Sequence, residues 1–330
     1  MVLGIALLVG GLVAPKFLVW DARLPLKLSS ATWTLSDPDG MRGGEPAPVT
    51  RQLHMEIREP SDENTMSVRV GDTLRAGDAP SDFENLVTAS TWSYQMDRLT
   101  GEALGPADVQ LVMAMPEVAV PIEGAWLKFP ANVEQRDYEV FDPTLRGAVP
   151  AQFVGEEEIE GRTVYTFRQV IAPTNLAQRF ADDRNLGFAE DQRTYLFHAA
   201  ERELLVDQAS GLVVGLREAV DDYYADAEGN GLENVVKYDA QTDPEQVSAL
   251  LKELARLSAP TWGTLASRVA IGAGGILTLA GLVWILAQRR SVVGCPRVGH
   301  LFTRAEMWYK LIRCAGSRLQ CARKPCRCGR

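Results

Sequence analysis

Nineteen consecutive residues without a charge, Val269–Ala287 (VAIGAGGILTLAGLVWILA), end at Gln288-Arg289-Arg290. About 20 apolar residues in a helix match the hydrocarbon core of a bilayer, so the chain is constrained to folds with a membrane-spanning segment near this point. A second apolar run, Val2–Val19, is interrupted by Pro15 and Lys16. It reads as an uncleaved anchor; the alternative is a cleaved signal peptide, since Ala14 follows an apolar run near the start. Beyond Ala287 the chain turns basic. Residues 289–330 carry eleven Lys and Arg against Glu306 alone, while 42 of the 43 Asp and Glu lie before them. The positive-inside rule places such a tail in the cytoplasm and the acidic stretch 21–266 outside the plasma membrane. Trp20, Trp262 and Trp284 fall where amphipathic indole rings prefer to sit.

The resulting organisation is an anchor over 1–20, an extracytoplasmic body over 21–242, a stalk helix and linker over 243–266, a transmembrane helix over 267–288 and a basic tail over 289–330. With 46% apolar and 23% charged residues, the chain has the composition of a folded protein. Its acidic body is a poor match for nucleic acid, whose phosphates call for Lys and Arg. All five cysteines (Cys295, Cys314, Cys321, Cys326, Cys328) lie in the tail. They lack the paired C-x2-C spacing of a zinc site, so the tail reads as an unstructured basic segment lying against anionic lipid.

Within the body, alternation over Thr163–Gln169, Leu204–Val206, Leu212–Val214 and Val235–Tyr238, with frequent Pro and Gly, predicts a β-rich fold, all-β or α+β. One helix is signalled. Asp243 can cap it, Pro244 suits its first position, and Val247, Leu250, Leu251, Leu254 and Leu257 share a face. A weak repeat links Asp97-Arg98-Leu99-Thr100-Gly101 with Asp207-Gln208-Ala209-Ser210-Gly211. Each reads as a hairpin corner, and together they suggest two similar β layers or subdomains. Ala6 with Gly10, and Ala270 with Gly274, are spaced four apart, as in helices that pack closely in lipid.

Candidate chemistry is sparse. Asp226-Ala227-Glu228-Gly229-Asn230-Gly231 resembles the start of a calcium loop, but Lys237 stands where the bidentate Glu belongs, so a hairpin turn is expected. Glu156-Glu157-Glu158 reads as a solvated hairpin face. His54 and His198 have no metal-ligand spacing, and the body offers no G-x-S-x-G motif and no cysteine. The chain therefore reads as non-enzymatic, with no catalytic residue, no metal site and no cofactor. Trp92, Trp126, Phe129 and Phe141 are the candidates to line an apolar ligand slot, with core packing as the alternative for each.

The run from Lys128 to Gln169 carries Lys128-Phe129-Pro130, Tyr138, Asp142, Thr144-Leu145, Pro150-Ala151, Phe153, Gly155-Glu156-Glu157, Ile159, Gly161 and Tyr165-Thr166-Phe167. It resembles the signature block of an actinobacterial membrane family whose members carry the label porin PorA family or a domain of unknown function. The resemblance extends over roughly residues 2–290. It implies a two-anchor cell-envelope protein with a β-rich outer body, related to proteins of mycolate glycolipid and lipoglycan biogenesis. The expected role is then a membrane-anchored accessory protein that binds or transfers a lipid or glycolipid. Its partners would be membrane lipid and envelope transport or biosynthesis proteins. The alternatives are a non-catalytic scaffold, then a porin or a glycan- or lipid-modifying enzyme. A porin calls for a closed barrel with a lipid-facing band or for a bundle of spans, which two anchors supply only if several copies assemble.

Overall fold

The computed structural model describes residues 2–17, 22–111, 115–180, 182–189, 192–257 and 261–292, without the side chains of 14–17, 261–266 and 284–292. The cysteine-containing tail and Trp20 lie outside the described residues, as do the side chains of Trp262 and Trp284. Two compact units form, the larger being Gly10–Val269.

The larger unit is built on one antiparallel sheet of 15 strands. Its main path runs β8 (Val118–Val120), β7 (Ala107–Gln110), β6 (Leu86–Asp97), β5 (Thr65–Ala76), β4 (Val49–Arg58), β1 (Ser30–Asp37), β15 (Gly231–Thr242), β14 (Val213–Ala225), β13 (Gln192–Asp207), β11 (Arg162–Asn175), β10 (Gly147–Ile159) and β9 (Tyr138–Asp142). The expected β-rich class is what the chain adopts. Every other side chain is buried along β1, β4 and much of β5, so one face of each strand meets the core. The other face carries exposed cross-strand ion pairs, Arg168–Glu201, Arg217–Asp239 and Lys237–Asp221. Exposed pairs of this kind add little to stability; what they mark is a face turned to water.

The sheet curls until its ends meet. Trp92 of β6, third from one edge, lies 5.6 Å ring to ring from Phe141 of β9, the opposite edge strand. The chain crosses from β8 to β9 through residues 121–137, and this crossing fills the interior with Trp126, Leu127, Phe129 and Val133. Part of it pairs along the seam: Ala125 bridges Val140 in parallel, and Lys128 bridges Leu212. The expectation of two similar layers becomes one curled sheet around one core.

Turn chemistry fixes the registers. Glu160 (φ 51) and Gly161 (φ 71) make the two-residue corner between Ile159 and Arg162, the positive-φ pair that matches strand twist. The acidic run 156–158 lies on that hairpin as expected, along the part of β10 with no partner beyond β11. Charge there discourages edge-to-edge pairing. α3 (Pro244–Leu257) follows β15 where the capping signals place it, with the Asp243 carboxylate accepting from the Glu245 amide at 2.7 Å. It buries Val247, Leu250, Leu251 and Leu254.

The terminal segments are helical: α1 (Val2–Phe17) and α4 (Thr261–Val292). The expectation of two transmembrane helices needs correction at this level, because among the described residues no helix is long and apolar enough to cross a membrane. The 16 residues of α1 rise about 24 Å, short of a core of about 30 Å. In α4 the charge-free run 269–287 is described with its side chains only as far as Val283.

Candidate functional site

The four aromatic candidates occupy the core. Trp92, Trp126 and Phe141 form a triangle of edge-on rings with centroids 5.3 to 5.6 Å apart. Phe129 sits in a neighbouring cluster, 5.1 Å from Phe167 and 5.4 Å from Tyr138. All four are buried. Aromatic pairs at these spacings contribute about 0.5–1.5 kcal/mol beyond their burial, and rings packed against one another leave no slot between them. Two open grooves of about 470 and 590 Å³ remain, the first lined by residues such as Arg58, Arg69 and Gln95, the second by a mixed set that includes Met41, Leu232, Tyr223, Asp221 and Lys237.

What the interior does hold is charge, in two places. The first is Lys128, 1% exposed. Its ammonium donates to the carbonyls of Leu99 (3.0 Å) and Phe129 (2.7 Å). Burial pushes it down to about 7, against the pull of Asp97 and Asp207. Those two aspartates open the two repeated turns, and the turns are built alike. Gly101 donates back to Asp97 O and Gly211 to Asp207 O, at φ +76 and +74. A Cβ on Gly101 would lie 2.3 Å from Lys128 O, and one on Gly211 would lie 2.1 Å from Phe129 O. Both turns are therefore pressed onto the crossing at Lys128-Phe129, which needs glycine for its backbone angle and for its closeness. The repeat in the sequence marks two corners that share one clamp.

The second place is a chain of buried ions at the other end of the sheet. Asp72 of β5 pairs with Arg51 of β4 at 2.8 Å, and Arg51 reaches Glu218 of β14 at 2.6 Å. Glu218 also takes Arg202 of β13 at 3.1 Å, and Arg202 donates to Asp142 of β9. Asp142 Oδ2 lies 3.9 Å from His198 Nε2, and His198 Nδ1 lies 2.6 Å from Asp222 of β14. Tyr238 adds a hydroxyl to Glu218 at 3.1 Å. Burial opposes ionisation of Asp142 and Glu218, yet Arg202 holds the first, and Arg51 with Arg202 the second, below their ordinary values. A buried chain of this kind holds together only when every member is paired. It ties β4 and β5 on one side of the curl to β9, β13 and β14 on the other. One member is incomplete: His198 Nε2 is buried and makes no hydrogen bond among the described residues.

Sequence reasoning named Lys128 and Asp142 only within a resemblance, weighed His198 only as a metal ligand, and passed over Arg51, Arg202 and Glu218. No spacing could find them, because the ion chain joins five strands far apart in sequence. His54 is half a surface pair with Thr32 at 2.8 Å. The calcium-like loop is a turn: the Asp226 carboxylate accepts from the amides of Glu228 and Asn230, and the positive φ falls at Gly229 instead of at Asn230-Gly231.

The terminal helices meet through glycine. A Cβ on Gly4 would lie 2.6 Å from Thr278 Oγ1 and 2.9 Å from Gly274 O, and one on Gly274 would lie 2.8 Å from both Gly4 O and Leu8 N. The Thr278 hydroxyl is turned back to Gly274 O at 2.7 Å. Outward from this contact stand Leu3, Ile5, Val9, Ile276, Leu279 and Val283, all exposed. Gly274 takes the packing role its spacing suggested; Gly10, with nothing within 4 Å, does not.

A family model described as Porin PorA matches residues 1–283. Two curated relatives are each named Porin PorA. One, from Corynebacterium resistens, is 25% identical over 222 residues, covering 55% of this chain and 54% of the relative. The other, from Corynebacterium amycolatum, is 26% identical over 142 residues, covering 41% of this chain and 36% of the relative. The chain thus spans about half the length, or less, of the curated relatives it matches. These names overturn the expectation of an accessory module that binds or transfers lipid or glycolipid, and the filled aromatic core gives the physical reason for abandoning the slot. Nothing favours the scaffold alternative in its place.

Proposed function

The chain belongs to the Porin PorA family, and from that premise we propose that it is a non-catalytic, channel-forming protein of a cell-envelope membrane. In this reading the pore is lined by terminal helices gathered from several copies. The observation that carries it is the direction of the β body's side chains: apolar inward, ion pairs outward. A barrel in lipid needs the reverse, an apolar band facing out. That leaves the glycine-locked helix pair, with its large apolar side chains turned outward, as the part suited to lipid. The apolar run Val269–Ala287 then crosses the membrane, the shorter run Val2–Val19 crosses with it where the bilayer thins to match, and the basic run from Arg289 keeps the tail cytoplasmic. The acidic body stands on the outer side.

The test is reconstitution of the purified full chain into planar bilayers. Discrete conductance steps whose frequency rises more steeply than linearly with protein concentration are expected, since one helix pair cannot enclose a pore. A silent bilayer at every protein-to-lipid ratio, with insertion verified by protease protection, would overturn the reading.

A further inference from the structure

The ion chain contains one histidine, and its two nitrogens are treated differently. Nδ1 lies 2.6 Å from Asp222 Oδ1. A carboxylate only accepts, so Nδ1 carries a proton at neutral pH. Nε2 is buried, without a hydrogen bond, and faces Asp142 Oδ2 at 3.9 Å. In the neutral ring Nε2 presents a lone pair to a carboxylate that Arg202 and the Leu145 amide keep ionised. In the doubly protonated ring the same atom is a donor aimed at that carboxylate, needing less than 1 Å of closure to bond.

We propose that His198 is a proton-operated tie that fastens the edge strand β9 to the β13–β14 hairpin, closed in acid and released in alkali. Asp222 faces the ring from β14, Asp142 from β9 and Arg202 from its own strand, while Thr174 of β11 stands opposite it in the ladder. Two carboxylates against one guanidinium favour the imidazolium. Burial works against the charge, but Asp222 and then Asp142 outweigh it and hold the ring above its ordinary value. β9 is the strand that release would free. It is an edge strand, β10 pairs it over only five residues, and its last residue is Asp142 itself. The sign follows from the shift. A folded value above the unfolded one gives stability that is full below the unfolded value and fades as pH rises through the folded one.

The experiment is amide hydrogen exchange on the full chain in detergent micelles, corrected for intrinsic rates, at about pH 5.5 and about pH 8.5, either side of the ordinary histidine value. Protection at Phe141 and Leu145 should fall about tenfold on going to the higher pH, and in H198Q that fall should be absent. Equal protection in the wild type, or an undiminished pH effect in H198Q, would overturn the proposal. If H198Q fails to fold, a chain bearing H54Q and H300Q leaves His198 as the one histidine, and its ring ¹⁵N shifts decide the matter. A titration midpoint above the ordinary value supports the tie; a midpoint at or below it rejects it.

Discussion

At Lys128 the stem is buried among apolar groups and the ammonium caps two carbonyls, so Lys128→Met separates the two contributions. Methionine replaces the packing and leaves the Phe129 carbonyl without its donor, while Leu99 O keeps the Ala131 amide at 2.8 Å. One unpaired buried carbonyl costs about 1–3 kcal/mol, and chemical denaturation of the full chain in detergent should show a loss in that range. The loss should grow with pH. The unfolded lysine keeps its proton to the ordinary value, whereas the buried one releases it near 7. Raising the pH through that window therefore stabilises the wild type by up to about 1.4 kcal/mol per unit, a slope that Lys128→Met lacks. The glycines of the clamp give a sharper contrast. Gly211→Ala drives a methyl to 2.1 Å from Phe129 O and should prevent the corner from closing. Gly43→Ala, at φ +61 with nothing within 4 Å, should cost only about 1 kcal/mol of backbone strain. Thermal melts of the two variants test the difference. Sequence showed the corners, because Asp and Gly at fixed offsets carry their turn chemistry locally. It could not show that one lysine joins them, since the turns are brought together only when the sheet curls.

Among the elements, the helix pair rests on the closest backbone approach. Gly274→Val would place branched carbons where Gly4 O and Leu8 N already lie at 2.8 Å, so the helices must part. Gly272→Val, with nothing within 4 Å, leaves the contact intact. With the native cysteines replaced by serine, spin labels at the exposed positions Leu3 and Leu279 should move apart in the first and keep their separation in the second; equal separation would remove the glycine contact from the argument. α3 and parts of β11, β14 and β15 were legible through short runs at periods 3.6 and 2, although each of those strands takes part in a register shift. The strands before residue 110 alternate as clearly over Trp33 and Leu35 and over Leu53 and Met55, and were passed over. Bulges such as that between Leu74 and Arg75 shift the alternation by one.

Across the whole molecule, the curl and its plug were invisible in the sequence. Nothing local tells that residues 121–137 bridge the two edges of a sheet whose outermost strands, β8 and β9, are consecutive in the chain. The charge asymmetry, by contrast, was readable in full and bears on the proposed channel. Before residue 289 the chain holds 42 acidic residues against 23 basic ones, and the strand faces that carry the exposed ones look outward. A body of that sign at the mouth of a channel raises the local concentration of cations and lowers that of anions. The Debye length is about 10 Å at 0.1 M salt and about 3 Å at 1 M. The field of the body therefore reaches across a pore mouth in dilute salt and collapses onto the protein surface in concentrated salt. Reversal potentials measured across a bilayer with a salt gradient should show cation preference that weakens as the mean salt rises. Replacing Glu201, Glu203 and Asp239 by their amides should weaken it further at low salt without changing the step size at 1 M. Channels that conduct yet show no such selectivity would keep the porin reading and remove the body from the mouth.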